Sequence, residues 1–205
     1  MKLKVCGLSN PDEVKICISY NVNFCGFILN YPKSHRYISY EKAKKLLNIN
    51  KNKSKYVGVL VEPSFEELKK FSQLDLDYFQ LYGQFNSESL ANIKKIYKKK
   101  IITTIQVTNK SDIEAYKNVE DESDIILWDS SGYEKSLGWN HNWIKDIKIK
   151  GEKMIAGNIT KDKLSNLSKF ADIIDVSGAL ETNKVKDTQK IIEFIMCLKK
   201  INNEN

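Results

Sequence analysis

The sequence predicts an α/β protein that folds as a single (β/α)8 TIM barrel over residues 1–205. Eight short apolar runs, rich in β-branched and aromatic residues, alternate with amphipathic stretches along the chain. Runs that are apolar almost throughout are typical of parallel strands buried on both faces. No stretch rich in proline or glycine divides the chain, and only the polar tail Asn202–Asn205 is expected to be disordered.

The predicted strands follow the apolar runs in order. They are Leu3–Leu8, Phe24–Leu29, Tyr56–Val61, Tyr78–Tyr82, Ile101–Val107, Ile125–Asp129, Met154–Ala156 and Ile173–Ser177. An open doubly wound sheet is the rival arrangement for such an alternation. It is disfavoured because no G-x-G-x-x-G motif follows the first strand.

One predicted helix follows each strand, and the first three begin with a recognisable cap. Asn10-Pro11 supplies a cap residue and a first-turn proline, Ser39 opens the second helix, and Ser64 with Glu67 fits a capping box. The helices are Asp12–Tyr20, Ser39–Leu47, Ser64–Phe71, Ser87–Tyr97, Asp112–Lys117, Trp143–Ile147, Lys161–Phe170 and Thr188–Lys199.

The composition indicates which kinds of binding partner to expect. Hydrophobic residues make up 41% of the chain and charged residues 29%, with a net charge of +7. The lysines fall mostly on helix faces, without zinc-finger spacing or an aromatic-glycine RNA motif, so we expect no nucleic-acid partner. The positive charge instead favours a small anionic ligand. No apolar run is long enough to span a bilayer and the N-terminus lacks a signal-like core, which predicts a cytoplasmic protein.

The few cysteines and histidines limit the chemistry. The four cysteines form no C-x-x-C pair, and neither His35 nor His141 stands at metal-ligand spacing from them. A zinc site, a disulfide framework and a Ser-His-Asp triad are therefore disfavoured. We expect no metal and no organic cofactor.

In a TIM barrel, functional residues lie on the loops after the C-terminal ends of the strands. Cys6 stands at the end of the first strand, and its alternative interpretation is a small buried hydrophobe. Asp129 ends the apolar sixth strand, where apolar neighbours would raise its pKa toward that of a working acid; its alternative is a turn cap. Cys6 and Asp129 are thus a candidate base and acid facing one pocket.

Two further groups of residues suggest anion binding. Small side chains after strands seven and eight let backbone N–H groups approach a phosphate, although ordinary tight turns would use the same residues. The candidates are Gly157, Asn158, Ser177, Gly178 and Ala179. Arg36, the only arginine of the sequence, suits a carboxylate through two parallel hydrogen bonds; its alternative is a solvent-exposed side chain.

Taken in order, the motifs resemble those of the phosphoribosylanthranilate isomerase family over nearly the whole chain. The family's opening K-[IV]-C-G-[IL] is matched by Lys4-Val5-Cys6-Gly7-Leu8. Further matches are Gly26–Leu29, Ser34–Arg36, Val57–Val61, Gln80–Gly83, Trp128–Ser130, Ala156–Ile159, Asp175–Glu181 and Lys186-Asp187. Each piece alone is weak, and the ordered set is specific.

The resemblance implies the third step of tryptophan biosynthesis from chorismate. That step is an Amadori rearrangement of N-(5-phospho-β-D-ribosyl)anthranilate to 1-(2-carboxyphenylamino)-1-deoxy-D-ribulose 5-phosphate. It implies Cys6 as the general base, Asp129 as the general acid and Arg36 as the partner of the anthranilate carboxylate. Lys4, on the same side of the strand as Cys6, would favour the thiolate. The partner is then a phosphorylated small molecule, with no membrane, and both a monomer and a homodimer remain open.

The sequence departs from the family pattern at four places. Tyr82 stands for the usual histidine, Asn158 for the second glycine of the phosphate turn, Gly178-Ala179 for Ser-Gly, and Lys135–Gly138 for a glycine-rich loop. Two alternatives follow. The histidine-pathway barrel isomerase is disfavoured because it uses paired aspartates and has a two-fold internal repeat, and a barrel that only binds a phosphorylated ligand would not need Cys6, Arg36 and Asp129 together.

Overall fold

The computed structural model describes residues 1–130 and 138–204, and its centre is a closed barrel of eight parallel strands. Each strand pairs with the next along the chain, and the last pairs with the first. The strands are β1 Lys2–Cys6, β2 Phe24–Ile28, β3 Lys55–Val61, β4 Tyr78–Tyr82, β5 Lys100–Val107, β6 Ile125–Ser130, β7 Glu152–Ile155 and β8 Ile173–Val176. This closure confirms the predicted TIM barrel.

The first four helices lie close to where the sequence predicts them. They are α1 Pro11–Ser19, α2 Tyr40–Leu47, α3 Phe65–Ser72 and α4 Ser87–Tyr97. The Asn10 side chain accepts from the backbone of Glu13, and the Glu13 side chain accepts from the backbone of Asn10. Ser64 and Glu67 make the same exchange at the start of α3. These bonds satisfy N–H groups that the start of a helix otherwise leaves unpaired.

The connections after β5, β6 and β7 differ from the predicted α-helices. Lys110–Asn118 and His141–Ile144 are 3-10 helices, and the 3-10 turn Lys161–Lys163 runs into a single-turn helix, α5, Leu164–Leu167. Short segments seldom form α-helices because the first turn is costly to nucleate, and tighter 3-10 turns are common connectors.

The last helix, α6 Thr188–Glu204, is longer than predicted. The Asn202 side chain donates to the Met1 carbonyl at 2.9 Å and accepts from the Met1 amino group at 3.1 Å. These bonds hold the polar tail against the start of β1, so the structure differs from the expected disorder as far as Glu204; Asn205 lies outside the described residues. No helix within the described ranges is long and apolar enough to cross a membrane.

The interior of the barrel changes from apolar to polar toward the C-terminal ends of the strands. The inner apolar cluster consists of Phe24, Val57, Tyr78, Ile102, Ile125, Leu127, Met154, Ala156 and Ile173. Lys4, Gln80, Thr104 and Asp175 are buried polar residues on the same strands or their neighbours. Alternate residues of a strand share a face, so Cys6, Tyr82 and Asp129 also point into the barrel.

A small hairpin follows β8 and was not predicted from the sequence. A 3-10 turn, Gly178–Leu180, leads into β9 Glu181–Thr182 and β10 Val185–Lys186. The turn residues Asn183 and Lys184 have φ angles of 50° and 64°, as a two-residue type I′ turn requires. The antiparallel register places Glu181 opposite Lys186.

Candidate active site

A cavity of about 350 Å³ lies at the C-terminal end of the barrel, where TIM barrels carry their active sites. All eight residues singled out from the sequence line it: Cys6, Arg36, Asp129, Gly157, Asn158, Ser177, Gly178 and Ala179. The fold therefore gathers residues from β1, β6 and the loops after β2, β7 and β8 around one space of ligand size.

Cys6 faces this cavity beside a buried ion pair. Lys4 Nζ lies 2.7 Å from Asp175 Oδ2, and the two side chains are 0% and 6% exposed. Strand register explains the pair, because Lys4 and Asp175 are direct neighbours across β1 and β8. The Lys4 ammonium also interacts electrostatically with the Cys6 thiol. One ammonium thus serves both a carboxylate and the candidate base.

The net effect of these neighbours is a thiol that holds its proton more tightly than usual. Burial has the largest influence and raises the pKa of Cys6, while the Lys4 ammonium acts in the opposite direction. Burial would also lower the pKa of Lys4, but Asp175 and Cys6 outweigh it, and the pKa is raised. The ammonium lies beside Cys6 as the sequence suggests, but the expected bias toward thiolate is overcome by burial and by the Asp175 carboxylate.

Asp129 faces the cavity from β6 and accepts hydrogen bonds on both carboxylate oxygens. The Tyr82 hydroxyl donates to Oδ2 at 2.7 Å, and the Ser130 N–H donates to Oδ1 at 2.7 Å. Gln80 Nε2 donates in turn to the Tyr82 hydroxyl at 3.3 Å. Burial has the largest influence and raises the pKa of Asp129 to about 6, although the bonds from Tyr82 and Ser130 lower it. Such a carboxyl can exchange a proton near neutral pH.

Arg36 is bound by a carboxylate of the protein itself. Its Nε and Nη2 donate to the two oxygens of Glu181 at 2.5 and 3.0 Å, the paired geometry in which guanidinium and carboxylate bind most strongly. Lys186 Nζ donates to the same carboxylate. Burial would raise the pKa of Glu181, but Arg36 and Lys186 hold it at about 2. Arg36, Lys186 and Glu181 together therefore carry a net charge of +1, two cations less one anion.

Two loops around the cavity depend on unusual backbone conformations. Gly7 has a φ of +79°, and a Cβ there would lie 2.5 Å from Arg36 Cδ, so the arginine packs directly on the end of β1. Gly157 has a φ of +90°, with Trp139 3.0 Å from the position of its missing Cβ. Asn158 follows with a φ of +51°. Asparagine tolerates this region better than most residues, which explains how it replaces a glycine in the predicted phosphate turn.

Sequence reasoning did not identify every residue of the site. The sequence does not mark Glu181 and Lys186 as site residues, because the hairpin that joins them spans too few residues to give a periodic pattern. The Asn183 turn residue was the available signal. Tyr82 is expected at the active face because it ends the predicted fourth strand, but the sequence does not indicate its hydrogen bond to Asp129. Residues 135–137 of the predicted loop after the sixth strand lie outside the described residues.

Comparison with known sequences identifies the family. Residues 3–196 match the family model described as N-(5'phosphoribosyl)anthranilate (PRA) isomerase. The chain is 32% identical to the N-(5'-phosphoribosyl)anthranilate isomerase of Clostridium acetobutylicum, over 98% of both chains. It is 30% identical to the enzyme of the same name from Streptococcus mutans, over 97% of this chain and 99% of the other.

Solved structures agree with this match. Phosphoribosyl anthranilate isomerase from Thermotoga maritima superposes with a TM-score of 0.84 at 25% identity, over 98% of this chain and 99% of the other. A structure of the same enzyme type in complex with reduced 1-(o-carboxyphenylamino)-1-deoxyribulose 5-phosphate superposes with a TM-score of 0.82, at the same identity and coverage. The chain therefore belongs to the N-(5'-phosphoribosyl)anthranilate isomerase family, and it is an isomerase of tryptophan biosynthesis that acts on N-(5'-phosphoribosyl)anthranilate.

Proposed function

We propose that the cavity carries out the Amadori rearrangement with Asp129 as general acid and Cys6 as general base. The product is 1-(2-carboxyphenylamino)-1-deoxy-D-ribulose 5-phosphate. The observation that carries the proposal is that Cys6 and Asp129 line one cavity from β1 and β6, with β7 and β8 between those strands. A substrate held in this cavity meets a proton donor on one side and a proton acceptor on the other.

Asp129 supplies the first proton. Protonation of the ribose ring oxygen breaks its bond to C1, and the lone pair of the anthranilate nitrogen forms an iminium at that carbon. The carboxyl must be protonated for this step, and a pKa of about 6 leaves a useful fraction protonated near neutral pH.

Cys6 accepts the second proton. Its thiolate removes the hydrogen of C2, and the electrons of that C–H bond neutralise the iminium to give an enolamine. The enolamine then tautomerises to the ketone, so the product is an isomer of the substrate and no net proton or electron is consumed. The Lys4 ammonium beside Cys6 stabilises the thiolate that performs this step.

Arg36 is assigned to the anthranilate carboxylate, and the loops after β7 and β8 to the phosphate. Glu181 holds the guanidinium at the cavity wall, and the net charge of +1 on Arg36, Lys186 and Glu181 favours an anion there. The phosphate residues proposed are Gly157, Asn158, Ser177, Gly178 and Ala179, which line the same cavity. The compound bound by the solved relative carries a carboxyphenyl group at one end and a 5-phosphate at the other.

A reducing, cytoplasmic setting is part of the proposal. All four cysteines are free thiols, and three of them, including Cys6, are buried. Oxidising compartments favour disulfides, whereas a catalytic thiol needs to remain reduced.

Turnover of N-(5'-phosphoribosyl)anthranilate generated in situ, followed by the loss of anthranilate-type fluorescence, tests these roles. Cys6→Ala and Asp129→Asn are each expected to lower kcat by about a hundred- to ten-thousandfold, the usual contribution of a general base or acid. Cys197→Ala on α6 and Asp121→Asn in an exposed ion pair are matched controls that should retain activity.

Two outcomes would contradict the proposal in different ways. Full activity in either site variant would remove that residue from the mechanism while leaving the isomerase activity intact. A wild type that binds the substrate without converting it would instead favour a barrel that only binds phosphorylated ligands.

A further inference from the structure

Tyr82 ends β4 and stands between the cavity and a buried amide. Its hydroxyl donates to Asp129 Oδ2 at 2.7 Å and accepts from Gln80 Nε2 at 3.3 Å. Gln80 is fully buried, and Tyr82 lines the cavity together with Asp129. The three side chains therefore form a chain of hydrogen bonds that ends on the candidate acid.

The direction of this chain follows from the chemistry of its members. An amide NH₂ group can only donate, so the Tyr82 oxygen acts as the acceptor for Gln80. A phenol has a single proton, and here that proton points to Asp129. A donor aimed at a carboxylate oxygen stabilises the ionised form of the carboxyl and fixes its orientation.

We propose that Tyr82 is a positioning residue of the isomerase reaction, whose hydroxyl orients the Asp129 carboxyl and stabilises its ionised form. This inference rests on the proposed role of Asp129 as the general acid. It goes further by identifying a side chain that orients the acid and makes it give up its proton more readily.

Several other groups act on Asp129, but none can be removed as cleanly. Asp175 on β8 raises the pKa of Asp129, whereas Lys4 on β1 and the Ser130 N–H lower it. Replacing Asp175 or Lys4 would break their buried ion pair. Burial raises the pKa of Tyr82 well above its ordinary value, so it stays protonated and neutral throughout a kinetic assay. Removing its hydroxyl therefore deletes one donor without changing any charge.

The expected pH profile has two breaks. The reaction needs Asp129 protonated and Cys6 ionised, and the pKa of Asp129 lies below that of Cys6. Between the two pKa values, a rise in pH gains thiolate in the same proportion as it loses the carboxylic acid, so kcat/KM is flat. Below the pKa of Asp129 only the loss of thiolate remains and the rate falls. The lower break therefore reports Asp129.

The experiment compares the pH dependence of kcat/KM for the wild type, Tyr82→Phe and Tyr78→Phe. Loss of a hydrogen bond to a charged group should move the lower break of Tyr82→Phe upward by about one pH unit. Tyr78→Phe is the matched control: it is the same change on the same strand, at a hydroxyl influenced by Asp124, Glu152 and Asp77 rather than by Asp129. The substrate phosphate also titrates at about pH 6, but it is identical in all three assays.

A second variant distinguishes the loss of this hydrogen bond from a general loss of order in the site. Gln80→Met removes the donor to Tyr82 and should shift the lower break in the same direction by less, because Tyr82 then becomes a weaker donor. Loosening alone would lower the rate at every pH and leave the break in place.

The outcomes separate this inference from the proposed mechanism. A lower break that stays at the wild-type pH in Tyr82→Phe, while Asp129→Asn is inactive, would overturn the role of Tyr82 and leave the acid assignment standing. If Asp129→Asn is fully active, the acid assignment fails, and the role of Tyr82 fails with it.

Discussion

The residues around Cys6 and around Asp129 differ in kind, yet the pKa of both groups is raised. The base side, around Cys6, is ionic and contains Lys4, Asp175, Arg36, Glu181 and Lys186. The acid side, around Asp129, relies on hydrogen bonds from Tyr82 and Ser130. Yet burial is the largest influence on both candidate groups, and it raises the pKa of Cys6 and of Asp129 alike.

Charged neighbours therefore need not be the largest influence on the pKa of a group in the site. On the base side the charged side chains mostly form ion pairs with one another, since Lys4 pairs with Asp175 and Arg36 with Glu181. On the acid side, neutral donors counter burial only in part and leave the carboxyl titrating near neutral pH. The base side is therefore held together by ion pairs, whereas hydrogen bonds from neutral donors act on the carboxyl of the acid side.

The largest expected effect comes from breaking the buried ion pair of the base side. Lys4→Met leaves Asp175 buried without its cation and should lower the free energy of unfolding by about 3–5 kcal/mol. Lys2, on the same strand, forms an ion pair with Glu152, and their side chains are 47% and 37% exposed. Lys2→Met should therefore lower the free energy of unfolding by at most about 1 kcal/mol. Urea unfolding of both variants measures the difference. Equal losses would mean that the Lys4 pair is not a structural element of the base side.

A smaller effect is expected from changing the shape of one cation while keeping its charge. A lysine at position 36 cannot keep the paired bonds to Glu181 and at the same time bind a substrate carboxylate, so KM for phosphoribosylanthranilate should rise by about 10- to 100-fold in Arg36→Lys. Lys33→Met, an exposed charge in the same loop, is the control and should leave KM nearly unchanged. A KM that stays unchanged in Arg36→Lys but rises in Lys33→Met would indicate general charge attraction instead of recognition by Arg36.

The sequence predicts the barrel well because burial on both faces gives each strand a nearly continuous apolar run. It also predicts that Cys6 and Asp129, at the ends of their strands, and Arg36, in the loop after β2, lie at the same end of the barrel, and all three line the cavity. It does not predict the pairing of Arg36 with Glu181, because that contact joins residues 145 positions apart through a hairpin of two-residue strands. Nor does it predict the direction in which the pKa of Cys6 is shifted, because burial of the thiol raises this pKa while Lys4 lowers it.

The most direct test of the account measures the protonation of the two groups themselves. Carbon-13 NMR titration of protein labelled at cysteine Cβ and aspartate Cγ, with signals assigned from Cys6→Ala and Asp129→Asn, reports both groups without substrate. Asp129 is expected to titrate at about pH 6 and Cys6 above the ordinary thiol value of 9.0. An Asp129 signal that titrates near the ordinary value of 3.8, or a Cys6 that is thiolate at neutral pH, would contradict the dominance of burial on both sides of the cavity.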